Sequence, residues 1–183
     1  NTISTYTPSG GGQQGYNIIV GGRSNTLKCV TGGSTCIGCS VIIGGYFNTG
    51  SNAFAFIGGG CKNIVTGCAS IVVGGILNTG SGACSFIGGG ARNYINTAAV
   101  SSSIVGGFDN ITNFGNTHII GSGITADKAD YAYVNNLDVE GTVSASIYSG
   151  SFVGDGSGLT GISGGSGGNG EYVPFITGSV SSG

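Results

Sequence analysis

The fold of this chain is decided by two adjacent blocks: residues 40–69, SVIIGGYFNTGSNAFAFIGGGCKNIVTGCA, and residues 70–99, SIVVGGILNTGSGACSFIGGGARNYINTAA. Aligned without a gap, the blocks are identical at 15 of 30 positions. Each block divides again into two halves that share the pattern apolar–apolar–x–Gly–Gly–x–x–Asn. A short fixed period of this kind is typical of stacked structural units, so the chain is predicted to be a repeat protein.

The glycine–asparagine motif recurs along residues 16–126 with a basic period of 15 residues, to which the first interval adds eight residues and the interval from Gly90 to Gly107 adds two. Glycine tolerates the positive φ of a tight corner, and asparagine suits a turn, where it takes the left-handed region or bonds its own backbone. We predict an all-β, Gly-rich parallel β-solenoid with coils about 4.8 Å apart. Left exposed, the asparagine column could form a ladder of side-chain amides. The corner glycines are Gly22, Gly45, Gly60, Gly75, Gly90 and Gly107, and the turn asparagines are Asn25, Asn48, Asn63, Asn78, Asn93 and Asn110.

An apolar column lies three residues before the second glycine of each motif, and we predict that it forms the core of the solenoid. Its members are Ile19, Ile42, Ile57, Val72, Ile87, Ile104 and Ile120. The neighbouring column is nearly as apolar and consists of Ile18, Val41, Phe56, Ile71, Phe86, Ser103 and Ile119. Because adjacent strand residues point to opposite faces, both faces are predicted to be buried, one inside the coil and the other against a second copy of the chain.

The composition excludes several classes of protein. Glycine accounts for 41 of 183 residues and charged residues for 7%, where about 25% is typical. The 39% of hydrophobic residues argues against a disordered linker. The net charge is −2 and the five Lys and Arg are scattered, so nucleic acid is not an expected partner. No apolar run is long enough to cross a bilayer, and the missing signal peptide and initiator Met suggest a processed product or part of a longer protein.

The chain is predicted to have four segments. Residues 1–15 are the end of a preceding repeat and a Gly-rich connector, residues 16–126 the solenoid, residues 127–163 a β-shaft or collar-like segment, and residues 164–183 a Gly/Ser linker with the start of a further element. The shaft prediction depends on the alternation of apolar and polar residues over 137–147, which is typical of a strand with one buried face.

Two stretches carry a resemblance to known fibrous proteins. The repeats SVIIGGYFNTGS (40–51) and SFIGGGARNYIN (85–96) resemble head repeats of trimeric autotransporter adhesins and, equally, repeats of bacteriophage tail fibres. The stretch YVNNLDVEGTVSASIYSGSFVGDGSGLTGIS (133–163) resembles the shaft-to-collar segment of phage fibres and favours the phage family. The resemblance implies a homotrimer with an intertwined β-shaft, on a virion tail fibre or another extracellular surface. It also implies adhesion to a cell-surface receptor, either a glycan or a protein, without catalytic residues or a cofactor.

Six cysteines distinguish this chain from those families. Cys36-x-x-Cys39 could begin a zinc site, but no second such pair follows and the chain has one histidine. Cys29 and Cys36 are a candidate disulfide that would pin an eight-residue insertion. The remaining cysteines, Cys39, Cys61, Cys68 and Cys84, are interpreted as small buried apolar residues.

The other candidate sites are weaker than their structural alternatives. Three copies of His118 near a trimer axis could hold a metal, but a structural histidine is the preferred interpretation. No motif of a hydrolase, metalloprotease or phosphate-binding loop occurs, so an enzyme is not expected. A bacterial trimeric surface adhesin or extracellular filament remains the alternative to a phage fibre. An ice-binding solenoid is the third hypothesis, and it is weakened because Thr26, Thr49 and Thr79 do not recur on every coil.

Overall fold

The structure, a computed structural model, describes residues 1–4, 16–28 and 39–140. The chain divides into two compact units, Asn1–Asp138 and Val139–Gly183, and nearly all described residues belong to the first. No helix among the described residues is long and apolar enough to cross a membrane. The predicted strand at 137–147 is described only up to residue 140, and that part is not in a strand. The candidate disulfide Cys29–Cys36 lies outside the described residues.

The first unit is a parallel β-solenoid, as the period of the repeat predicts. Among the residues that the structure describes, the strands form two eight-stranded parallel sheets, and successive strands alternate between them. Sheet 1 contains β1 (Thr2–Ser4), β3 (Thr26–Lys28), β5 (Thr49–Gly50), β7 (Ile64–Val65), β9 (Thr79–Gly80), β11 (Tyr94–Ile95), β13 (Ile111–Thr112) and β15 (Thr125–Ala126). Sheet 2 contains β2 (Ile18–Ile19), β4 (Val41–Ile42), β6 (Phe56–Ile57), β8 (Ile71–Val72), β10 (Phe86–Ile87), β12 (Ser103–Ile104), β14 (His118–Ile120) and β16 (Ala132–Val134).

The strands are short because each coil turns twice within one copy of the repeat. Register between coils follows the repeat, so that Ile57 lies beside Ile42 on one side and Val72 on the other. After the glycine corner, a third ladder of single parallel bridges joins Arg23, Tyr46, Cys61, Ile76, Ala91 and Phe108. The repeated pattern of apolar residues, glycines and asparagine therefore sets the same register between the coils from Ile42 to Ile87.

The core lies between the two sheets and consists of one column of side chains from each sheet. Sheet 2 contributes Ile42, Ile57, Val72, Ile87 and Ile104, all fully buried, and Ile19 is partly buried at the N-terminal end. Sheet 1 contributes a column of mixed size in which glycines lie between larger residues: Leu27, Gly50, Val65, Gly80, Ile95, Thr112 and Ala126. A Cβ on Gly50 would lie 2.7 Å from Cδ2 of Leu27, so the leucine already occupies that space.

The predicted core column is wrong at its last member, where Ile119 rather than Ile120 is buried. Ile119 is fully buried beside Ile104, whereas Ile120 is 52% exposed. The reason is a shorter corner: Ile104 pairs with Ile119 at the usual interval of the repeat, but Ile111 pairs with Thr125, one position short of that interval. The predicted position was counted three residues back from Gly123, which ends a degenerate copy of the motif, and this count gives Ile120 instead of Ile119. A shift of one position in a strand moves a side chain to the opposite face.

The solenoid also continues past the predicted boundary at residue 126. Strand β16 pairs with β14 and places Tyr133 beside Ile119, in the core column but without a Gly–Gly motif. The Tyr133 hydroxyl donates to Oδ1 of Asp127 at 2.6 Å and accepts the Lys128 amide N–H at 3.0 Å. The hydrogen bond from Tyr133 lowers the pKa of Asp127. Half-buried Tyr133 thus covers the core at the last coil.

Each corner uses left-handed residues in an arrangement that the sequence pattern did not predict. The second glycine of each motif has φ of +81° to +91°. The asparagine three residues later does not take the left-handed region; the residue before it does, as at Phe47, Lys62 and Leu77. A second corner repeats this arrangement before a small side chain, with positive φ at Phe54, Ala69 and Cys84 among others. Such residues normally avoid positive φ, so hydrogen bonds around them must compensate for the strain.

The asparagine column forms an amide ladder inside the solenoid, not on its surface. Asn25, Asn48, Asn63, Asn78, Asn93 and Asn110 are all fully buried. Nδ2 of Asn63 donates to the carbonyls of Gly59 and Gly75, both at 2.9 Å, and Oδ1 of Asn63 accepts the backbone N–H of Asn78 at 3.0 Å. Each asparagine therefore closes its own corner and joins it to the next coil. Asn1 makes the same type of bond to the Asn25 amide, at 3.1 Å.

A second polar ladder, which we did not predict, closes the other corner. Its column consists of Ser40, Ala55, Ser70, Ser85, Ser102 and Thr117, all buried. Oγ of Ser70 donates to the carbonyl of Gly82 at 2.7 Å and accepts the Ser85 amide N–H at 3.2 Å. The hydroxyl thus has the same role as the asparagine amide. The column of small residues was visible in the sequence at the same spacing.

Ser85 interrupts this serine ladder. Its Oγ is the one buried side-chain polar atom without a partner among the described residues. The next coil has a two-residue insertion, because Ser85 is followed at this position by Ser102 rather than by residue 100. The carbonyl that would accept the Ser85 hydroxyl is therefore displaced.

These two serines allow a matched stability prediction. Ser70→Ala leaves the Gly82 carbonyl without that donor and the Ser85 amide without its acceptor, so we expect a loss of about 1–3 kcal/mol in the free energy of unfolding. Ser85→Ala removes an unpaired hydroxyl and should be neutral or stabilising. Urea denaturation of both variants measures the difference, and equal losses would contradict the serine ladder.

Candidate functional site

The most distinctive surface of the solenoid is the outer side of sheet 2. The first residue of each strand and the residue after the buried core position point outwards, because side chains alternate along a strand. We call these outward positions from Ile18 to Ile120 the apolar face. They are Ile18, Val20, Val41, Ile43, Phe56, Gly58, Ile71, Val73, Phe86, Gly88, Ser103, Val105, His118 and Ile120. No Asp, Glu, Lys or Arg is among them.

Large side chains on the apolar face are well exposed in the single chain. Val73 is 47% exposed, Val105 54% and Ile18 49%. Isolated exposed hydrophobic residues are ordinary on protein surfaces, but a contiguous strip of them marks an interaction surface. The outward column from Ile18 to Ser103 was predicted to be buried against a second copy of the chain, and the single chain by itself does not bury it.

Between Val41 and Val105, two types of coil alternate on the apolar face. In one type, outward Val or Ile follows the core residue, as at Ile43 and Val73. In the other type, glycine takes that place, because a Cβ on Gly58 would overlap the carbonyl oxygen of Val73 on the next coil, and one on Gly88 that of Val105. A phenylalanine ring lies close to each glycine: Cε1 of Phe56 is 3.5 Å from the Cβ position of Gly58, and Cε1 of Phe86 is 3.4 Å from that of Gly88. The ring lies beside a backbone position without a side chain of its own, so the strip stays apolar on both types of coil.

The outer side of sheet 1 contrasts with the apolar face. The residue after each core position there is polar in every described coil from β3 onwards: Lys28, Ser51, Thr66, Ser81, Asn96, Asn113 and Asp127. Thr66 Oγ1 donates to Ser81 Oγ of the next coil at 2.8 Å. The first outward column mixes Thr49 and Thr79 with Ile64, Tyr94 and Ile111, so the regular threonine array of an ice-binding surface is not formed. The outer side of sheet 1 is therefore more polar than the apolar face, although Ile64, Tyr94 and Ile111 are exposed on it.

The turn between the third ladder and sheet 1 contains the one ion pair of the described residues. Arg92 donates from Nε and from a terminal nitrogen to the two carboxylate oxygens of Asp109, at 2.6 and 2.7 Å. These bonds and the opposite charge lower the pKa of Asp109, and both side chains are exposed. At an exposed position such a pair contributes little to stability.

His118 lies at the C-terminal end of the apolar face. Its Nδ1 is 2.8 Å from Oγ of Ser103, the residue beside it on the neighbouring strand. No carboxylate is hydrogen-bonded to this histidine among the described residues, so the pair lacks the third member of a catalytic triad. The described residues also contain no group of three or more His, Cys, Asp or Glu that could hold a metal.

The cysteines differ from the prediction of small buried residues. Cys39, Cys68 and Cys84 are exposed and Cys61 is half-buried, all with free thiols. The interpretation of these cysteines as buried was wrong because of their place in the corners. At each corner, the residue with positive φ and the residue before it point away from the core, and the cysteines occupy these positions. The residue that follows points into the core. Cys36, the first half of the candidate zinc motif, lies outside the described residues.

Comparison with known proteins gives no family for the chain. No protein-family model matches it, and no curated protein matches it in sequence.

Proposed function

We propose that this chain is a structural segment of a phage tail fibre that assembles as a homotrimer through the apolar face. The observation that supports the proposal is the uncharged strip on sheet 2 beside the polar outer side of sheet 1. A chain that worked alone would expose this strip to water at a cost of about 25 cal/mol for each Å². Assembly with identical chains removes that cost.

Three copies around one axis suit the shape of the strip. In closed rotational symmetry the same patch is buried on every copy, and coils of equal rise keep the copies in register along the axis. Between Val41 and Val105, Phe/Gly coils alternate with aliphatic coils, so side chains of different size follow one another with a period of two coils. Complementary packing of such side chains is what a stable, apolar subunit interface needs.

The trimer would leave sheet 1 facing solvent on a rod, which suits a virion fibre or another extracellular surface. Its hydroxyls and amides, together with exposed Tyr94, are groups that recognise a cell-surface glycan or protein. Adhesion to such a receptor is the proposed role, with no reaction and no cofactor. A bacterial trimeric adhesin would use the same assembly, so the interface test applies to both.

The assembly is tested by placing a charge on each side of the solenoid. Val73→Asp adds a carboxylate to the apolar face at a position that is already exposed in the single chain, so the coil should still fold. In a trimer the substitution buries three unpaired charges, and we expect the trimer to dissociate. The control Ser51→Asp adds the same charge to the outer side of sheet 1 and should leave the trimer intact.

Sedimentation velocity and native mass spectrometry distinguish the outcomes. The expected result is a trimer for the unmodified chain and for Ser51→Asp, and a folded monomer for Val73→Asp, with circular dichroism showing that the strands are retained. An unmodified chain that is a folded monomer, or a Val73→Asp variant that stays trimeric, would overturn the proposed interface.

A further inference from the structure

The corner between β7 and β8 and the corner between β9 and β10 each contain one exposed cysteine, and these two residues are adjacent in space. The backbone N–H of Cys84 donates to the carbonyl oxygen of Cys68 at 2.8 Å. Both side chains are exposed and both thiols are free. Cysteine is among the most frequently buried residue types, so two exposed cysteines in contact through their backbones are not explained by packing.

The spacing of neighbouring coils brings the two backbones at this corner within reach of a disulfide. Adjacent coils lie about 4.8 Å apart and consecutive Cα atoms about 3.8 Å apart, so residues offset by one position on neighbouring coils have Cα atoms within about 6 Å of each other. Disulfides join Cα atoms about 4.4–6.8 Å apart. Cys68 and Cys84 have this offset, because Ala69 and Cys84 are equivalent corner residues that both take positive φ.

The corner also favours this pair over other pairs. Cys39 belongs to the same column as Cys84 but lies three coils away, about 14 Å at the usual spacing. Cys61 belongs to the bridge ladder after the glycine corner, on the other side of the coil. Among the cysteines that the structure describes, only Cys68 and Cys84 are joined by a backbone hydrogen bond.

We propose that Cys68 and Cys84 form a disulfide that links two successive coils in an oxidising environment. A small-molecule disulfide serves as the oxidant. One cysteine thiolate, having lost its proton to water, attacks that disulfide and releases a small thiol, which takes up a proton. The second cysteine thiolate then attacks the cysteine sulfur of the mixed disulfide and displaces a second small thiol. Two electrons and two protons pass from the two cysteines to the oxidant.

The disulfide would join two successive coils covalently along the solenoid axis. In a stack of coils each unit contacts only its neighbours, so local opening between two coils is a natural route to unfolding. A link between residues 68 and 84 closes a loop that includes the whole intervening coil and restricts the unfolded chain more than the folded one. Oxidation therefore stabilises the coils between β7 and β10, and reduction releases them.

The test uses the native full chain and the positions of its basic residues. Trypsin cleaves after Lys62 and Arg92 and releases one peptide, residues 63–92, in which Cys68 and Cys84 are the only cysteines. The reduced protein is treated with oxidised glutathione, free thiols are blocked with iodoacetamide, and the digest is made without reductant. We expect peptide 63–92 without added groups and lighter than its reduced form by two hydrogen atoms.

Two variants act as controls. Cys84→Ser should leave Cys68 alkylated or bound to glutathione, whereas Cys39→Ser should leave the bridged peptide unchanged. The oxidised chain should unfold several degrees above the reduced chain, and Cys84→Ser should show no such shift. A peptide 63–92 with two alkyl groups or two glutathiones, or one linked to a different peptide, would overturn the proposal.

Discussion

Asn78→Ala is expected to lower the free energy of unfolding by roughly 3–5 kcal/mol, since each buried polar group left unpaired costs about 1–3 kcal/mol. Asn78 is fully buried, and its Nδ2 donates to the carbonyls of Gly74 at 2.9 Å and Gly90 at 3.0 Å. Its Oδ1 accepts the backbone N–H of Asn93 at 3.0 Å. Alanine removes all three bonds. The Gly90 carbonyl still accepts the Ile76 N–H, but the Gly74 carbonyl and the Asn93 N–H lose this partner in a closely packed interior.

The matched control is Asn113→Ala, on the outer side of sheet 1. Asn113 is exposed and its side chain makes no hydrogen bond among the described residues, so this variant should stay within about 0.5 kcal/mol of the unmodified chain. Both variants are measured by chemical denaturation at one protein concentration, because assembly makes apparent stability depend on concentration. A loss below about 1 kcal/mol for Asn78→Ala would show that the buried amide ladder does not hold the coils together.

Gly60→Ala is expected to have a comparably large effect, for a steric reason. The residue has φ of +84°, and an added Cβ would overlap the carbonyl oxygen of Gly75 on the next coil and lie 2.7 Å from Nδ2 of Asn63. Left-handed backbone costs an L-residue about 1–2 kcal/mol, and overpacking adds about 1–3 kcal/mol. We expect a total loss of about 3–5 kcal/mol, because neither the backbone nor the buried amide can move aside.

The adjacent glycine provides the comparison. A Cβ on Gly59 would meet nothing within 4 Å, and its φ is outside the left-handed range. Gly59→Ala should therefore change the free energy of unfolding by less than about 1 kcal/mol, and the lower entropy of the unfolded chain favours a small gain. Thermal unfolding followed by circular dichroism compares the two variants. Similar midpoints would mean that the Gly–Gly motif is not needed for the close approach of the coils.

The sequence by itself determined the solenoid and most of its core. A fixed period with Gly–Gly–x–x–Asn in each copy leaves one consistent arrangement, in which every coil pairs in parallel with the next. Because each coil contacts only its neighbours, the local pattern is also the global pattern. That is why the column from Ile42 to Ile104 could be located without coordinates.

Only the tertiary structure decided which atoms meet between coils. The shorter corner near Gly121 places Ile119 in the core and Ile120 outside. The pairing of β13 with β15 shows this shorter corner, whereas the spacing of the glycines in the sequence does not. The burial of the asparagines, the orphaned hydroxyl of Ser85 and the contact between Cys68 and Cys84 likewise depend on hydrogen bonds to the adjacent coil. A sequence pattern gives the position of a residue within its own coil, whereas the direction of its side chain is fixed by the φ of the corner and by the groups of the coil beside it.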